Sequence, residues 1–234
     1  MSKIYTVIAA GGLGKRLKDY RGNKSTKMLL KIKNQAMITN QINQLLSWKL
    51  SNFIVITNPS FDSLIKSEIK AEFPNLDVKF SVQEEQLGVA HALLQAEKFI
   101  QKDSKVLYIL GDNFFESNPL LEFKFESDEA HMFIKEVSNP QEFGVVELRE
   151  NKIISIEEKP NYPKSNFIGT GLYLFDYDCF EIIKTLRKSD RGEYEITNLL
   201  EKYMNVKQLN YGIIDGWWVD AGTPESVENL EKLI

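Results

Sequence analysis

The stretch Ile4–Arg16, IYTVIAAGGLGKR, decides the fold. Its first part, Ile4 to Ala10, is a short apolar run of strand length that ends at a glycine pair. Gly11, Gly12 and Gly14 then permit positive φ and close backbone approach, so successive N–H groups can face a phosphate. Lys15 and Arg16 add positive charge at the same place. Two familiar phosphate loops are excluded. A dinucleotide fingerprint starting at Gly12 needs Gly or Ala where Leu17 stands, and a P-loop ending in Gly14-Lys15 needs Gly at Ala9 and Ser or Thr at Arg16. Taken alone, the loop also reads as a tight strand-to-helix connection.

Working outward, apolar runs alternate with segments of helical period. Phe53–Thr57, Val78–Val82 and Val106–Leu110 are predicted strands, and Met37–Leu50, Phe61–Phe73 and Gly88–Ile100 predicted helices. In the first helix Met37, Gln41, Leu45 and Trp48 share a broad stripe with Ile38, Ile42 and Leu46. This β-α-β-α order implies an α/β domain with a mostly parallel sheet covered on both faces. The second half is less regular. Gly144–Leu148 and Ile153–Glu157 read as a hairpin turning at Asn151, Leu172–Phe175 as a strand, and Cys179–Leu186, Ile196–Tyr203 and Pro224–Ile234 as helices. We expect one domain over residues 1–234 with an embedded smaller β subdomain. No repeat or low-complexity linker interrupts it.

Composition narrows the function classes. With 29 basic and 33 acidic residues the formal charge is −4, which gives no support for nucleic-acid binding. Cys179 is the only cysteine, and His91 and His131 are far apart, so a bound metal is expected to be a hard cation held by carboxylates. The apolar opening run is too short for a membrane span and lacks a signal-peptide layout, so a cytoplasmic protein with no membrane partner is expected.

Further residues carry chemistry. Lys27 lies in Ser25–Leu30, a place where a lysine is as often merely solvated. Gln83 closes a predicted strand five residues before Gly88 and carries both a donor and an acceptor, enough to read the edge of a pyrimidine. Asp112 closes another strand, where open parallel sheets bind ligands, although an Asx turn would also place it there. Asp220 follows the apolar Trp218-Val219 far downstream. Two such carboxylates would form a Mg²⁺ site with positions left for phosphate oxygens and water. Glu158 and Lys159 follow the hairpin, Gly169-Thr170-Gly171 breaks what would be a strand, and Arg191 precedes a helix.

Taken in this order, the motifs resemble the sugar-phosphate nucleotidyltransferase family, glucose-1-phosphate thymidylyltransferases above all, from about Ile4 to Thr223. The resemblance implies a Rossmann-like, nucleotide-diphospho-sugar transferase type of fold, with a nucleotide half (about 1–115) and a sugar-phosphate half (about 116–234). It implies an enzyme that joins an NTP, dTTP or UTP by preference, to a sugar 1-phosphate with release of pyrophosphate. It also implies roles. Gly11, Gly12 and Gly14 with Arg16 wrap the triphosphate, with Lys15 as an added grip. Ala9 and Ala10 line the nucleoside site, and Gln83 and Gly88 read the base. Lys27 contacts the phosphates at the reacting centre, and Asp112 and Asp220 hold Mg²⁺. Gly144, Glu158 and Thr170 contact the sugar, and Lys159 and Arg191 its phosphate. On this reading Arg16, Lys27 and Asp112 are the catalytic residues.

The chain departs from the family pattern at several points. Lys15 stands in place of Thr, His91 in place of Gln and Phe143 in place of Tyr, while Lys18–Lys24 lacks the usual proline. The sequence stops eleven residues after Thr223, without the helical tail of related thymidylyltransferases. A monomer or homodimer without that tail's regulatory site is therefore expected. Two alternatives stand beside the leading reading: a cytidylyltransferase acting on a sugar phosphate or small phosphorylated alcohol or phosphonate, and a catalytically silent nucleotide-sugar-binding module.

Overall fold

The computed structural model describes residues 3–17, 26–121 and 129–234. β1 (Ile4–Ala9) leads through the glycine loop to short 3-10 turns at Lys15–Leu17 and Lys27–Leu29. A small ribbon of β2 (Lys31–Ile32) and β3 (Gln35–Ala36) feeds α1 (Met37–Ser47). Next come β4 (Phe53–Thr57), α2 (Asp62–Glu72), β5 (Val78–Val82), α3 (Val89–Leu94) and β6 (Lys105–Leu110). β7 (Asn113–Phe115), β8 (Glu129–Glu136), β9 (Gly144–Arg149), β10 (Lys152–Glu158) and β11 (Phe167–Phe175) follow. The chain closes with α4 (Cys179–Lys184), α5 (Ile196–Val206), β12 (Gln208–Ile213), β13 (Trp218–Asp220) and α6 (Pro224–Leu233).

Among the described residues nine strands share one sheet, with β10-β9-β11-β6-β1-β4-β5 in order, β8 on β11 and β12 on β8. The block β6-β1-β4-β5 is parallel, as the alternating elements require. β11 joins it antiparallel and acts as the seam of the sheet. Phe175 pairs both Val106 of β6 and Ala130 of β8, whereas Ile168 pairs both Lys135 of β8 and Val145 of β9. One edge of β11 thus carries β8, and the other carries β9 and then β6.

Alternation across the parallel strands divides the core between the two faces. Tyr5, Val7, Val106 and Tyr108 meet Ala90 and Leu93 of α3 and Phe180 and Leu199 of α4 and α5. Ile8, Leu107, Ile109 and Val55 meet Ile38 and Ile42 of α1, Ile65 of α2 and Val227 of α6. α6 starts with a capping box, in which the Thr223 hydroxyl accepts from Ser226 N at 3.2 Å and the Ser226 hydroxyl accepts from Thr223 N at 3.0 Å. The β9–β10 hairpin turns at Glu150 (φ 49°) and Asn151 (φ 59°), the left-handed pair that suits a two-residue turn. No helix among the described residues is long and apolar enough to cross a membrane.

Several sequence expectations need correcting. Gly169-Thr170-Gly171 does not break its strand. β11 runs through it with a register shift before Tyr173, and Gly171 takes φ 70° to allow it. The helix expected over Gly88–Ile100 ends at Leu94 and gives way to a 3-10 turn at Glu97–Phe99. The antiparallel strands of the second half extend the central sheet through β11.

Candidate active site

The parallel strands bring their carboxyl ends to one end of the sheet, where open α/β folds bind ligands. The glycine loop after β1, Gln83 after β5 and Asp112 after β6 all lie there. Gly11 cannot be replaced freely, because a Cβ on it would sit 3.0 Å from Thr57 O. Its own carbonyl accepts from Asn58 Nδ2 at 2.8 Å, which ties the loop to β4. Gly14 has φ 56° and packs its backbone on the Lys27 side chain, where a Cβ would meet Lys27 Cβ at 3.1 Å.

Asp220 reaches Asp112 through a local device. β7 begins directly after Asp112 and pairs antiparallel with β13, which sets Asp220 opposite Asn113. Ala221 N donates to Asp112 O at 2.7 Å and closes the ribbon. Both aspartates are largely buried, and each feels the other. Burial would raise the Asp112 carboxyl, but the charge and hydrogen bond of Lys27, with the Asn113 amide, hold it below its ordinary range. Burial and then the Asp112 charge push Asp220 up to about 7, against the pull of Lys27 and Arg16. Gly222 makes room for that arrangement, since a Cβ there would lie 2.6 Å from Asp220 Oδ1 and 2.8 Å from Arg16 Nη2.

These groups line an open cleft of about 500 Å³. Gly11, Gly12, Leu13, Gly14, Arg16 and Lys27 line it, together with Lys159, Arg191 and Glu193. Gln83, Gly88, Val89 and Tyr108 line it as well. Gln83 is buried, with its side-chain nitrogen 3.0 Å from Gly88 O and 3.0 Å from His91 Nδ1. Gly88 needs φ 106°, and a Cβ would collide with Tyr194 O at 2.6 Å. Lys159 takes φ 46°, and its N–H donates to Phe143 O at 3.0 Å. Arg191 Nη1 lies 3.0 Å from Glu158 Oε1 and 3.5 Å from Glu195 Oε1, with Glu193 Oε2 3.9 Å from its Nη2. Glu158 is raised by burial and by Glu195, against Lys159 and Arg191.

The structure thus gathers Ala9, Gly11, Gly12, Gly14, Arg16, Lys27, Gln83, Gly88, Asp112, Lys159, Arg191 and Asp220 around one cleft. The other expected residues are not part of its lining. Ala10 is fully buried in the core beneath the loop. Thr170 is also fully buried, and its hydroxyl donates to Phe133 O at 2.8 Å. Gly144 and Glu158 pair across β9 and β10 behind Arg191. The side chain of Lys15 and the segment 18–25 lie outside the described residues.

Sequence reading missed the residues that brace the aspartates. Asn113 Nδ2 donates to Asp112 Oδ1 at 3.1 Å, and Trp218 Nε1 donates to Asn113 Oδ1 at 2.9 Å and to Thr170 O at 3.1 Å. It also missed Gly222 and Glu142, whose Oε2 stands 3.9 Å from Arg16 Nη1. The signal for Asn113 and Trp218 was their position beside the two aspartates. Among the described residues no cluster of three or more acidic, His or Cys side chains could hold a metal alone. The hard oxygen pair Asp112 and Asp220, one carboxyl of which burial and then the other's charge raise to about 7, fits a divalent cation completed by phosphate oxygens and water.

Comparison with known proteins agrees with this geometry. The nucleotidyl transferase family matches residues 5–234. The glucose-1-phosphate thymidylyltransferase of Neisseria meningitidis is 35% identical over 237 residues, 97% of this chain and 81% of that protein. The bifunctional protein GlmU of Methanococcus vannielii is 40% identical over 163 residues, which cover 66% of this chain and 38% of that protein. A glucose-1-phosphate thymidylyltransferase structure from Bacillus anthracis, solved with a sucrose, is 33% identical, with a TM-score of 0.89 over 98% of this chain and 94% of that one.

Proposed function

The chain belongs to the nucleotidyl transferase family and is a sugar-1-phosphate nucleotidylyltransferase, and from that premise we propose that its cleft joins dTTP or UTP to glucose 1-phosphate with Mg²⁺. The observation that carries the reading is the pairing of β7 with β13, which sets Asp220 opposite Asn113, next to Asp112, in a cleft also lined by Arg16, Lys27 and Lys159. Two anions cannot approach each other there without such cations.

The glycine loop and Arg16 bind the triphosphate through backbone N–H groups and the guanidinium. Lys159 and Arg191, in the same cleft, take the phosphate of the sugar. The Glu158, Glu193 and Glu195 carboxylates orient Arg191 and keep it from folding onto the triphosphate wall. One oxygen of the sugar phosphate forms a bond to the α-phosphorus. The bond from that phosphorus to the β-bridging oxygen breaks, and its electron pair leaves with pyrophosphate. The nucleophile is already an anion, so no general base is required. Lys27, ion-paired to Asp112 and packed under Gly14, lies at the reacting end of the loop and offsets charge on the α-phosphoryl group. When bound by Asp112 and Asp220, Mg²⁺ screens the phosphates and polarises the reacting phosphoryl group.

Pyrophosphate release tests the reading, with dTTP, UTP, CTP, ATP and GTP crossed against glucose 1-phosphate, other sugar 1-phosphates and phosphocholine. Rapid release with dTTP or UTP and a sugar 1-phosphate is the expected result. Release confined to CTP and phosphocholine would overturn the substrate assignment.

A further inference from the structure

The amide of Gln83 is held from behind, and what holds it decides which atom it shows to the cleft. A glutamine amide has one nitrogen with two hydrogens and one accepting oxygen. One side-chain atom of Gln83 lies 3.0 Å from Gly88 O. A backbone carbonyl only accepts, so that atom must be the nitrogen, and the orientation follows from the chemistry of its partner. The same nitrogen lies 3.0 Å from His91 Nδ1. The second hydrogen is aimed at His91 Nδ1, which accepts it when the ring proton is on Nε2, the nitrogen that Gln95 Nε2 approaches at 3.4 Å. Both amide hydrogens are then spent inside the protein. Among the described residues no donor reaches Gln83 Oε1, and Gln83 lines the cleft.

The imidazole is itself held in place. Tyr194 stacks on it with ring centroids 6.1 Å apart and planes at 29°. Gln95 Nε2 donates to the His91 carbonyl at 3.1 Å, one turn along α3.

An acceptor offered alone discriminates between pyrimidines. Thymine and uracil carry a hydrogen on N3, whereas cytosine presents a bare lone pair there. An amide free to turn over serves either edge, but one locked with its oxygen outward pairs with the imide and repels cytosine N3. We propose that His91 is a positioning residue for base selection, which takes the second amide hydrogen of Gln83 so that Oε1 alone meets the base and CTP is rejected in favour of dTTP and UTP. The inference rests on the proposed function, with the pyrimidine beside Gln83 in the cleft.

The lock also carries a pH signature. Burial holds His91 below its ordinary range, with Glu85 opposing and Lys188 adding to the shift, and the Tyr194 ring completes its surroundings. A protonated Nδ1 cannot accept, so the lock is intact at neutral pH and opens as pH falls through the His91 pKa.

The test compares kcat/KM for dTTP, UTP and CTP with glucose 1-phosphate in the wild type, His91→Leu and His91→Gln. Leu fills the site without an acceptor, while the carbonyl of Gln restores one. The wild type is expected to favour dTTP or UTP over CTP. In His91→Leu that ratio should fall about tenfold, the worth of one oriented hydrogen bond, and His91→Gln should regain most of it. In the wild type the ratio should also decline toward acid pH, and more than in His91→Leu, where protonation of cytosine N3 alone acts on it. The γ-phosphate titrates alike in both nucleotides and cancels from the ratio. A His91→Leu enzyme that keeps its rate with dTTP and its full discrimination overturns the proposal. So does a wild type that prefers CTP. A wild type that turns over no pyrimidine NTP with any sugar 1-phosphate overturns the proposed function first, and that failure is visible before any variant is made. Thermal melts of both variants separate misfolding from a change in selection.

Discussion

Trp218 donates its indole N–H to Asn113 Oδ1 at 2.9 Å, and Asn113 in turn donates its amide to Asp112 Oδ1 at 3.1 Å. The indole also reaches Thr170 O at 3.1 Å, so one side chain links β13, β7 and β11 beside the two carboxylates. Trp218→Phe keeps the aromatic bulk and removes the donor. We expect about a tenfold loss in apparent Mg²⁺ affinity with a melting temperature near the wild-type value. A Mg²⁺ titration of the rate checks it, and an unchanged half-saturation point would sink the bracing role.

Asp112→Asn removes a charge while keeping the shape. It deprives Lys27 of its ion-pair partner and a metal of a donor, and it removes the largest charge acting on Asp220. Turnover is expected to fall by about 10²–10³-fold. Single-turnover quench of nucleotide transfer measures it, and a variant within threefold of wild type would exclude Asp112 from the reacting centre.

Lys159 lines the same cleft as the glycine loop. Lys159→Ala should raise KM for the sugar 1-phosphate by about 10–100-fold, the usual cost of a lost charge-assisted hydrogen bond. KM for the nucleotide should hardly change. Equal losses for both substrates would remove the assignment to the sugar-phosphate side.

Stability should depend on pH through Asp62. Burial would raise this carboxyl, but hydrogen bonds from Lys66 at 2.7 Å and Thr57 at 2.6 Å bring it below its ordinary value. A folded-state pKa below the unfolded one gives stability that is present above the unfolded value and lost as pH falls through the folded one. Asp62→Asn should therefore melt about 2–4 °C below the wild type at pH 7. The gap should close as pH falls through the folded-state pKa of Asp62, which lies below its ordinary value. A gap that persists in strong acid would assign the loss to something other than the charge of Asp62.

The parallel half of the molecule was legible because its physics is local. β4 and β5 fall on the residues expected, since short apolar runs bounded by turns admit few other readings. β8 and β12 were not foreseen. β8 buries Glu129 and His131, polar residues that a strand search passes over. Their acceptability depends on each other at 2.9 Å and on Asn210 of β12, whose amide reaches Glu129 Oε2 at 2.8 Å. That pairing spans 81 positions of chain and has no local signature. The candidate site divides in the same way. Motif positions named the groups around the cleft, but which way a side chain faces is a matter of register. Thr170 is fully buried where β11 shifts by a bulge, a displacement set by Gly171 and by strands distant in sequence. Glu193 and Glu195 stand beside Arg191 in the sequence, but nothing local signals Glu158, 33 positions away.

The seam at β11 has a mechanical consequence. A strand whose backbone hydrogen bonds reach β8 along one edge and β9 and then β6 along the other ties the parallel strands to the antiparallel ones, with no joint between them among the described residues. To bend the halves apart, several ladder bonds would have to break together, a cost on the scale of unfolding rather than of hinge motion. Substrates therefore enter a frame of fixed width. Closure around them falls to the glycine loop and to long side chains such as Arg16, which lies on the cleft with much of its guanidinium stem in solvent.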